Sequence, residues 1–534
     1  YTQRAVPPAL TGRYPPMTAA SANWRDHPDN LFRLLGGAYD THIIESLTVL
    51  CPPTVCDGDH DVDVPSEGDG DTAADAPAAA DDGLVSVLRE ARRVYGDLVA
   101  LDEPDTNAVA TLAEEIADVP DDPDGPDSSG EQPTSTTATI APLPGDDVDP
   151  GLGNIEFDPD ERTRVQPRRA VEFLDSLHEQ PADADPGFWF LHLVLPHNPF
   201  HLLPDGGRYA IPGEAEATPG LSGQLEWDDD PWPALAARQR HLLQLRAVDD
   251  FVGDVLDELE RFDLYDRALV VATADHGASF DAATNFRSIS PATASDIAWV
   301  PFFVKQPDNV AGGTIDDRNV EIVDLLPTVA DVLDIDVPWP VDGRSVFGPA
   351  RTNATKTFRS APLFPRDDED FVELTLDGRA GLRQMLASAL VADQAAAGGD
   401  VDLAILRTGP YGDLVGQRLD QFDVRSPDAR RRAAVDRADA FAAVDLDDEL
   451  PLFVRGRLDG ATGDETVVVA LNGTIAGISS VFDDRREPAR FTVLIPERLV
   501  RSGANELAVY LLDEEEPEGS EGGRGIALTP LELG

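Results

Sequence analysis

The stretch RALVVATADHG, residues 267–277, decides how this chain is read. Its first eight residues are almost continuously apolar, the pattern of a short strand buried in a sheet. The run stops at Asp275 and His276. In open α/β sheets, ligands collect at the carboxyl ends of strands, where the chain turns out into a cleft. One hard carboxylate oxygen and one imidazole nitrogen at such a place suit a divalent cation. Gly277 lets the chain turn sharply beside it. A plainer alternative, a helix-capping aspartate with a bystander histidine, stays open at this level.

Working outward, GFWFLHLVL (187–195) reads as a second buried strand and VPFFVK (300–305) as a third. Between the first two lies ARQRHLLQLRAVDDFVGDVLDELERF (237–262), with Leu242, Leu245, Val248, Phe251, Val252, Val255 and Leu259 at helical spacing. Apolar strands alternating with helices predict an α/β domain with a mainly parallel sheet. The 187–195 strand runs into a histidine-bearing turn, PHNPFH. His197, flanked by prolines, is a candidate to contact an anion or to protonate a leaving oxygen. A merely structured turn is the rival reading. His192 is expected to be a hydrogen-bonded core histidine, and His201 to be peripheral.

The chain has 534 residues, more than one domain's worth. Its 100 acidic against 42 basic residues give a net charge of −58. Nucleic acid and anionic membrane surfaces are therefore excluded as partners of the body of the chain, because like charge repels them. No run of 18 apolar residues occurs, so nothing in this sequence is read as a membrane span. Cys51 and Cys56, in LCPPTVC, are spaced for a local disulfide and so point to an oxidising compartment. Half a metal site is the alternative, but no second cysteine pair exists to complete a zinc tetrahedron.

Residues 57–150 form an acidic, Pro/Ala-rich insertion interrupted by one helical pattern at 84–101. Its aspartates do not fit a calcium loop: counting from Asp57, Val62 stands where glycine is needed and Gly68 where glutamate is needed. After about 350 the pattern changes. Residues 351–450 read as a linker with a helical, alanine-rich part, RAGLRQMLASALVADQAAA. Residues 451–534 read as a small β-sandwich built from LPLFVRGRL, ETVVVALNG, ARFTVLIP and NELAVYLL. The sequon NGT at 472–474 is read as a turn between strands rather than a glycosylation site.

Taken together, VVATADHG, LHLVLPHNPF, VPFFVKQPDNVAGG, VEIVDLLPTVADVLDI and VDGRSV resemble, in order, the sulfatase-like branch of the alkaline phosphatase superfamily. The resemblance covers roughly 1–56 and 160–350 and leaves out the insertion and the C-terminal third. It implies an alkaline-phosphatase-like α/β domain over 1–350 and one bound divalent metal ion (Ca, Mn, Zn or Mg). In sulfatases a cysteine that becomes formylglycine stands ten residues before the glycine of a Leu-x-Thr-Gly-like turn. In ALTGRYP that glycine is Gly12, so the nucleophile position is Thr2. Threonine is the nucleophile in phosphate-handling relatives such as lipoteichoic acid synthases and phosphoethanolamine transferases.

The resemblance thus implies Thr2 as nucleophile and metal ligand, Asp275 and His276 as further ligands, and His197 at the substrate or leaving group. Arg4 and Arg287 are weaker candidates for anion contacts, with a solvated side chain as the rival reading of each. It also implies carboxylate ligands upstream of the nucleophile, on a strand that would precede Tyr1, and transmembrane helices before that. The chain as given is accordingly expected to bind metal poorly and to be inactive, and the intact protein to be membrane-anchored and extracytoplasmic. The expected activity is a metal-dependent hydrolase or transferase of phosphate or sulfate esters. The competing expectation is a non-catalytic cell-surface protein that keeps the fold and binds a glycan or envelope polymer.

Overall fold

The computed structural model describes residues 2–15, 21–56, 166–178, 186–211, 218–309, 313–314, 316, 318–352, 355–360, 372–378, 401–446, 448–463, 465–484, 487–515 and 525–534. The acidic insertion, the helix expected at 84–101 and the alanine-rich helix expected at 379–397 lie outside the described residues.

The N-terminal unit runs α1 (Thr2–Thr11), α2 (Leu31–Leu35), β1 (Asp40–Ile44), α3 (Gln166–His178), β2 (Gly187–Leu191), α4 (Pro231–Arg261), β3 (Val270–Thr273), α5 (Ala294–Ala298), β4 (Phe302–Lys305) and α6 (Leu325–Val332). Strands β1 and β2 pair in parallel, with His42 opposite Trp189. Their side chains alternate between two cores. Phe188 and Phe190 pack with Val271 and Phe302 against Val6, Leu10, Phe32, Leu326 and Val329 from α1, α2 and α6. Trp189, Leu191 and Val270 pack on the other side against Phe173, Leu177 and Leu259 from α3 and α4. Helices therefore cover both faces of the strand layer, as the apolar strands require.

One pairing departs from the expected parallel pattern: β3 and β4 are antiparallel, Val271 opposite Val304. A parallel return needs a crossover, usually a helix of a dozen residues or more. Here the connection is spent on the loop after Asp275 and on the five-residue α5. A second departure is α1. The sequence predicts a turn at Pro7-Pro8, yet both prolines lie inside a helix. Only the end is a turn: the Thr11 hydroxyl donates to the Pro7 carbonyl (2.8 Å), and Gly12, at φ 68°, closes on the Pro8 carbonyl (3.0 Å). Glycine tolerates that left-handed conformation without a Cβ penalty.

Helix α4 begins six residues before the predicted start, because Pro231 occupies its first position and the Asp230 side chain accepts from the Trp232 amide. Cys51 and Cys56 are joined in the expected disulfide.

The C-terminal unit is a two-sheet sandwich. One sheet has the order β11 (Thr474–Ser480), β10 (Thr466–Leu471), β13 (Leu507–Glu515), β14 (Gly525–Pro530), β7 (Asp423–Val424), and the other β12 (Arg490–Leu494), β9 (Phe453–Asp459), β8 (Arg432–Val435), β15 (Glu532–Leu533). All four predicted strands form, as β9 (Phe453–Asp459), β10 (Thr466–Leu471), β12 (Arg490–Leu494) and β13 (Leu507–Glu515). Asn472 and Gly473 are both at positive φ and turn β10 back into β11 (Thr474–Ser480), the two-residue hairpin geometry that Asn-Gly favours. The Asn472 amide is used internally, donating to Leu499 O and Asn505 Oδ1.

The segment 351–450 is not merely a helical linker. It contributes the hairpin pair β5 (Thr355–Ser360) and β6 (Val372–Asp377) and the short helix α7 (Val401–Leu406). It also supplies two sandwich strands: β7 (Asp423–Val424), at the edge of its sheet beside β14 (Gly525–Pro530), and β8 (Arg432–Val435), between β9 and β15 (Glu532–Leu533). The sandwich therefore starts before 451. These added strands are two and four residues long within an Arg/Asp-rich run, too short to show a period of two. Among the described residues no helix is long and apolar enough to cross a membrane.

Candidate active site

Asp275 and His276 leave the sheet two residues after the end of β3. The His276 amide donates to Asp275 Oδ1 (2.9 Å), and its ring Nδ1 faces the Gly277 carbonyl oxygen (2.9 Å). A carbonyl only accepts, so Nδ1 carries the proton and Nε2 presents a lone pair. Nε2 stands 3.6 Å from Asp275 Oδ2. Both atoms are buried, and neither has a hydrogen-bond partner. Protonating the imidazole would satisfy them, but burial pushes its pKa down to about 4 against the pull of Asp275. Two buried acceptors facing each other without a donor call for a cation between them. The pair therefore fits a divalent ion, which ligates oxygen and nitrogen at about 2.0–2.2 Å in the zinc case.

Gly277 is needed by packing rather than by turn angle: a Cβ there would lie 1.9 Å from the Asp296 carbonyl oxygen. The Gly277 amide donates to Ile297 O (2.7 Å), which ties the Asp-His turn to α5.

Thr2, the first residue of α1, is buried, and its hydroxyl lies against the Asp275 carboxylate. Burial pushes that carboxyl up, but the His276 ring, the Thr2 hydroxyl and His192 outweigh it and hold Asp275 below the usual carboxylate range. The placement of Thr2 depends on the far end of its helix. There Gly12 O accepts from the amides of Asp342 (2.8 Å) and Gly343 (3.0 Å). Beside it the buried Asp324 accepts two bonds from Arg351 (2.5 and 2.7 Å) and one from the Arg344 amide (2.9 Å). The ALTGRYP and VDGRSV motifs thus form one clasp that fixes the register of α1.

His192 is not the ordinary core histidine the sequence suggests. It sits one residue past the end of β2, and its buried Nδ1 has no partner. Burial lowers its pKa, opposed by Asp275 and the Ser46 backbone. Three neighbouring strand ends therefore converge: Ser46 after β1, His192 after β2, and Asp275 after β3. Arg169 of α3 closes this edge, donating to Glu45 O (3.0 Å) and to the Ser46 hydroxyl.

The PHNPFH turn stands to one side of this edge. His197 Nδ1 faces the Asn198 carbonyl. His241, on α4, is the residue sequence reasoning missed: its Nδ1 bonds the Pro196 carbonyl oxygen (3.2 Å) and its ring packs against Phe200 and Phe280. Burial first, with Arg238 and Arg287 beside it, pushes its pKa down to about 4 against the raising effect of the Pro196 carbonyl. Arg287, whose guanidinium lies over the Phe286 ring, also depresses His276, so its charge is felt at both His276 and His241. Arg4, two residues after Thr2 on α1, is half-buried. His201 is not peripheral but 4% exposed, its Nε2 facing Arg208 (3.2 Å). Among the described residues no cluster of three His, Cys, Asp or Glu side chains is gathered to hold an ion, so the donor set stands at Asp275, His276 and the Thr2 hydroxyl.

Residues 150–335 match the Sulfatase family model. That segment of the chain is thus similar to the sulfatase family, and it lies in the mixed α/β fold class expected from the sequence. The matched segment holds His192, His197, His241, Asp275, His276 and Arg287, whereas Thr2 and Arg4 lie outside it.

Among solved structures the chain is similar to the phosphonate monoester hydrolase of Silicibacter pomeroyi, at 18% identity over 41% of this chain and 58% of that one, with a TM-score of 0.30. It is similar to a protein solved with its substrate D-glucosamine-2-N,6-O-disulfate, at 15% identity over 41% and 64%, TM-score 0.32. It is also similar to the phosphonate monoester hydrolase of Agrobacterium radiobacter, at 18% identity over 74% and 86%, TM-score 0.37. The chain spans about six tenths of the length of the first two.

Proposed function

We propose that the protein is a metal-dependent hydrolase or transferase of phosphate or sulfate esters, with Thr2 as its nucleophile. The observation that carries the reading is the facing pair of buried, unpartnered acceptors, Asp275 Oδ2 and His276 Nε2, with the Thr2 hydroxyl against the same carboxylate. A mixed carboxylate, imidazole and hydroxyl set suits Zn or Mn better than Ca or Mg. The ion, when bound, lowers the pKa of the hydroxyl and offsets charge on the transferring group.

The chain's own residues do the rest. Asp275, held anionic, orients the Thr2 hydroxyl hydrogen and leaves an Oγ lone pair for in-line attack on phosphorus or sulfur. As the Thr2 Oγ–P or Oγ–S bond forms, the hydroxyl proton passes to the Asp275 carboxylate and the bond to the ester oxygen breaks; that departing oxygen takes a proton from the protonated form of His197 at Nε2. Arg287 and Arg4 face the non-bridging oxygens, whose negative charge grows toward the transition state. Water or an acceptor alcohol then resolves the Thr2 ester.

The Cys51–Cys56 disulfide favours an extracytoplasmic site of action, in line with the membrane-anchored relatives the sequence resembles. The full-length protein should cleave 4-nitrophenyl phosphate, bis(4-nitrophenyl) phosphate or 4-nitrophenyl sulfate, lose that activity to a chelator and regain it with Zn or Mn. Thr2→Ala should reduce kcat by roughly 10³-fold or more, with Thr2→Ser retaining part of it. Unchanged turnover in Thr2→Ala removes Thr2 as nucleophile, and no turnover of any ester leaves the non-catalytic reading in its place.

A further inference from the structure

Arg240 of α4 is among the largest fully buried side chains of the protein, at 1% exposure. A buried guanidinium is tolerated only where its donors and its charge are satisfied. Nη2 donates to Phe200 O (2.6 Å) and Nε to the Tyr209 hydroxyl (3.0 Å), which itself donates to Phe200 O. The face of the guanidinium lies 3.9 Å from the ring centre of Phe453, the first residue of β9 in the sandwich. One helical turn further along, Gln244 is 0% exposed. Its Nε2 donates to His197 O (2.7 Å), and its Oε1 accepts from the amides of His201 (3.1 Å) and Leu202 (3.2 Å). His241, between them, holds Pro196 O.

Five main-chain groups of the segment 196–202 are thus bound by one turn of α4, and that turn is braced from behind by the sandwich. The same segment runs directly into the sandwich core, where Leu203 and Tyr209 pack with Phe453 and Leu452 and Tyr209 pairs with Leu450.

We propose that Arg240 and Gln244 are positioning residues for His197, and that the C-terminal sandwich, through Phe453, is part of the device that fixes the His197 turn. The inference rests on the role given to His197 above and assigns the sandwich a part in it. The physical reason is that a turn with two proline-flanked positions has few hydrogen bonds of its own to define it. A displacement of about 1 Å in a positioned group can cost about 100-fold in rate.

Three variants of the full-length protein test this. Phe453→Leu removes the ring face while leaving every hydrogen bond of Arg240 in place. Gln244→Leu removes the contacts to the turn directly. Val468→Ala loosens the sandwich within a separate core, around Leu403, Ile475 and Leu528, and serves as the control. Ester hydrolysis should fall about 10-fold in kcat for Phe453→Leu and about 100-fold for Gln244→Leu, with KM within about twofold of wild type. Amide hydrogen exchange over 196–202 should rise in both, and Val468→Ala should change neither reading. Gln244→Glu should add a pH limb absent from wild type, because only the protonated carboxyl can donate to His197 O. Exchange over 196–202 that is unchanged in both variants overturns the inference whether or not the wild type hydrolyses an ester. So does Val468→Ala raising that exchange as much as Phe453→Leu. A wild type that hydrolyses no ester, with the exchange pattern as expected, overturns the hydrolase reading and leaves the clamp standing.

Discussion

Two imidazoles held neutral, His276 and His241, give the residue scale its chemistry and its cost. Each has its pKa pushed down to about 4 by burial. A base depressed in the folded state binds fewer protons than the unfolded chain between that value and the ordinary one near 6.5. Stability therefore rises with pH across that window and is lost as pH falls from about 6.5 toward 4. For His241 the loss is on the order of 3 kcal/mol at most. Melting temperature should fall between pH 7 and pH 4.5, and His241→Gln should flatten the slope. A slope identical in the variant would show that His241 does not titrate in this way.

The same scale shows the limit of reading by residue type. Asp275 and His276 were legible because they break an apolar run. His241 was not, because at its position in a long amphipathic helix an imidazole carries no signal of its own. His192 looked like strand filling because the strand was read through residue 195, four residues too long, and the chain actually leaves the sheet at Leu191.

At the scale of elements, what holds the site is contact between short motifs far apart in sequence. Gly277 is the sharpest case, since an added Cβ would meet the Asp296 carbonyl at 1.9 Å. Gly277→Ala should force α5 away from the Asp-His turn and cost roughly 2–3 kcal/mol, together with metal affinity. Chemical denaturation alongside metal titration checks both, and a variant with wild-type values of each would refute the packing argument. Strand and helix identities followed from period and composition over 187–262, but α1 did not. Its Pro7-Pro8 pair reads locally as a turn, yet tertiary packing of Val6 and Leu10 on Phe32 and Leu326 overrides the local preference. The antiparallel sense of β4 was equally invisible, because strand direction depends on how the connection is spent and not on the strand's own residues.

At the scale of the whole molecule, a net charge of −58 and a sandwich locked to the N-terminal α/β unit are the two dominant facts. Self-repulsion of that size is screened by salt over a Debye length that shrinks from about 10 Å at 0.1 M to about 3 Å at 1 M. The melting temperature should therefore climb steadily from 0.1 M to 1 M KCl, and a flat or falling curve would mean that ion pairs rather than repulsion dominate the surface. The sandwich itself was legible from its alternating strands. Its attachment through Arg240 was not, because an arginine in a charged-looking helix gives no hint that it is buried over an aromatic ring of another domain.

In the proposed site Asp275 and His276 present their two unpartnered atoms to one divalent ion. It is tested most directly by stripping the full-length protein of metal, titrating Zn or Mn back by calorimetry, and repeating this for Asp275→Asn and His276→Gln. One ion per chain is expected in the wild type, with affinity lowered by 100-fold or more in either variant, on the order of 3 kcal/mol. Unchanged affinity and stoichiometry in both variants would contradict it.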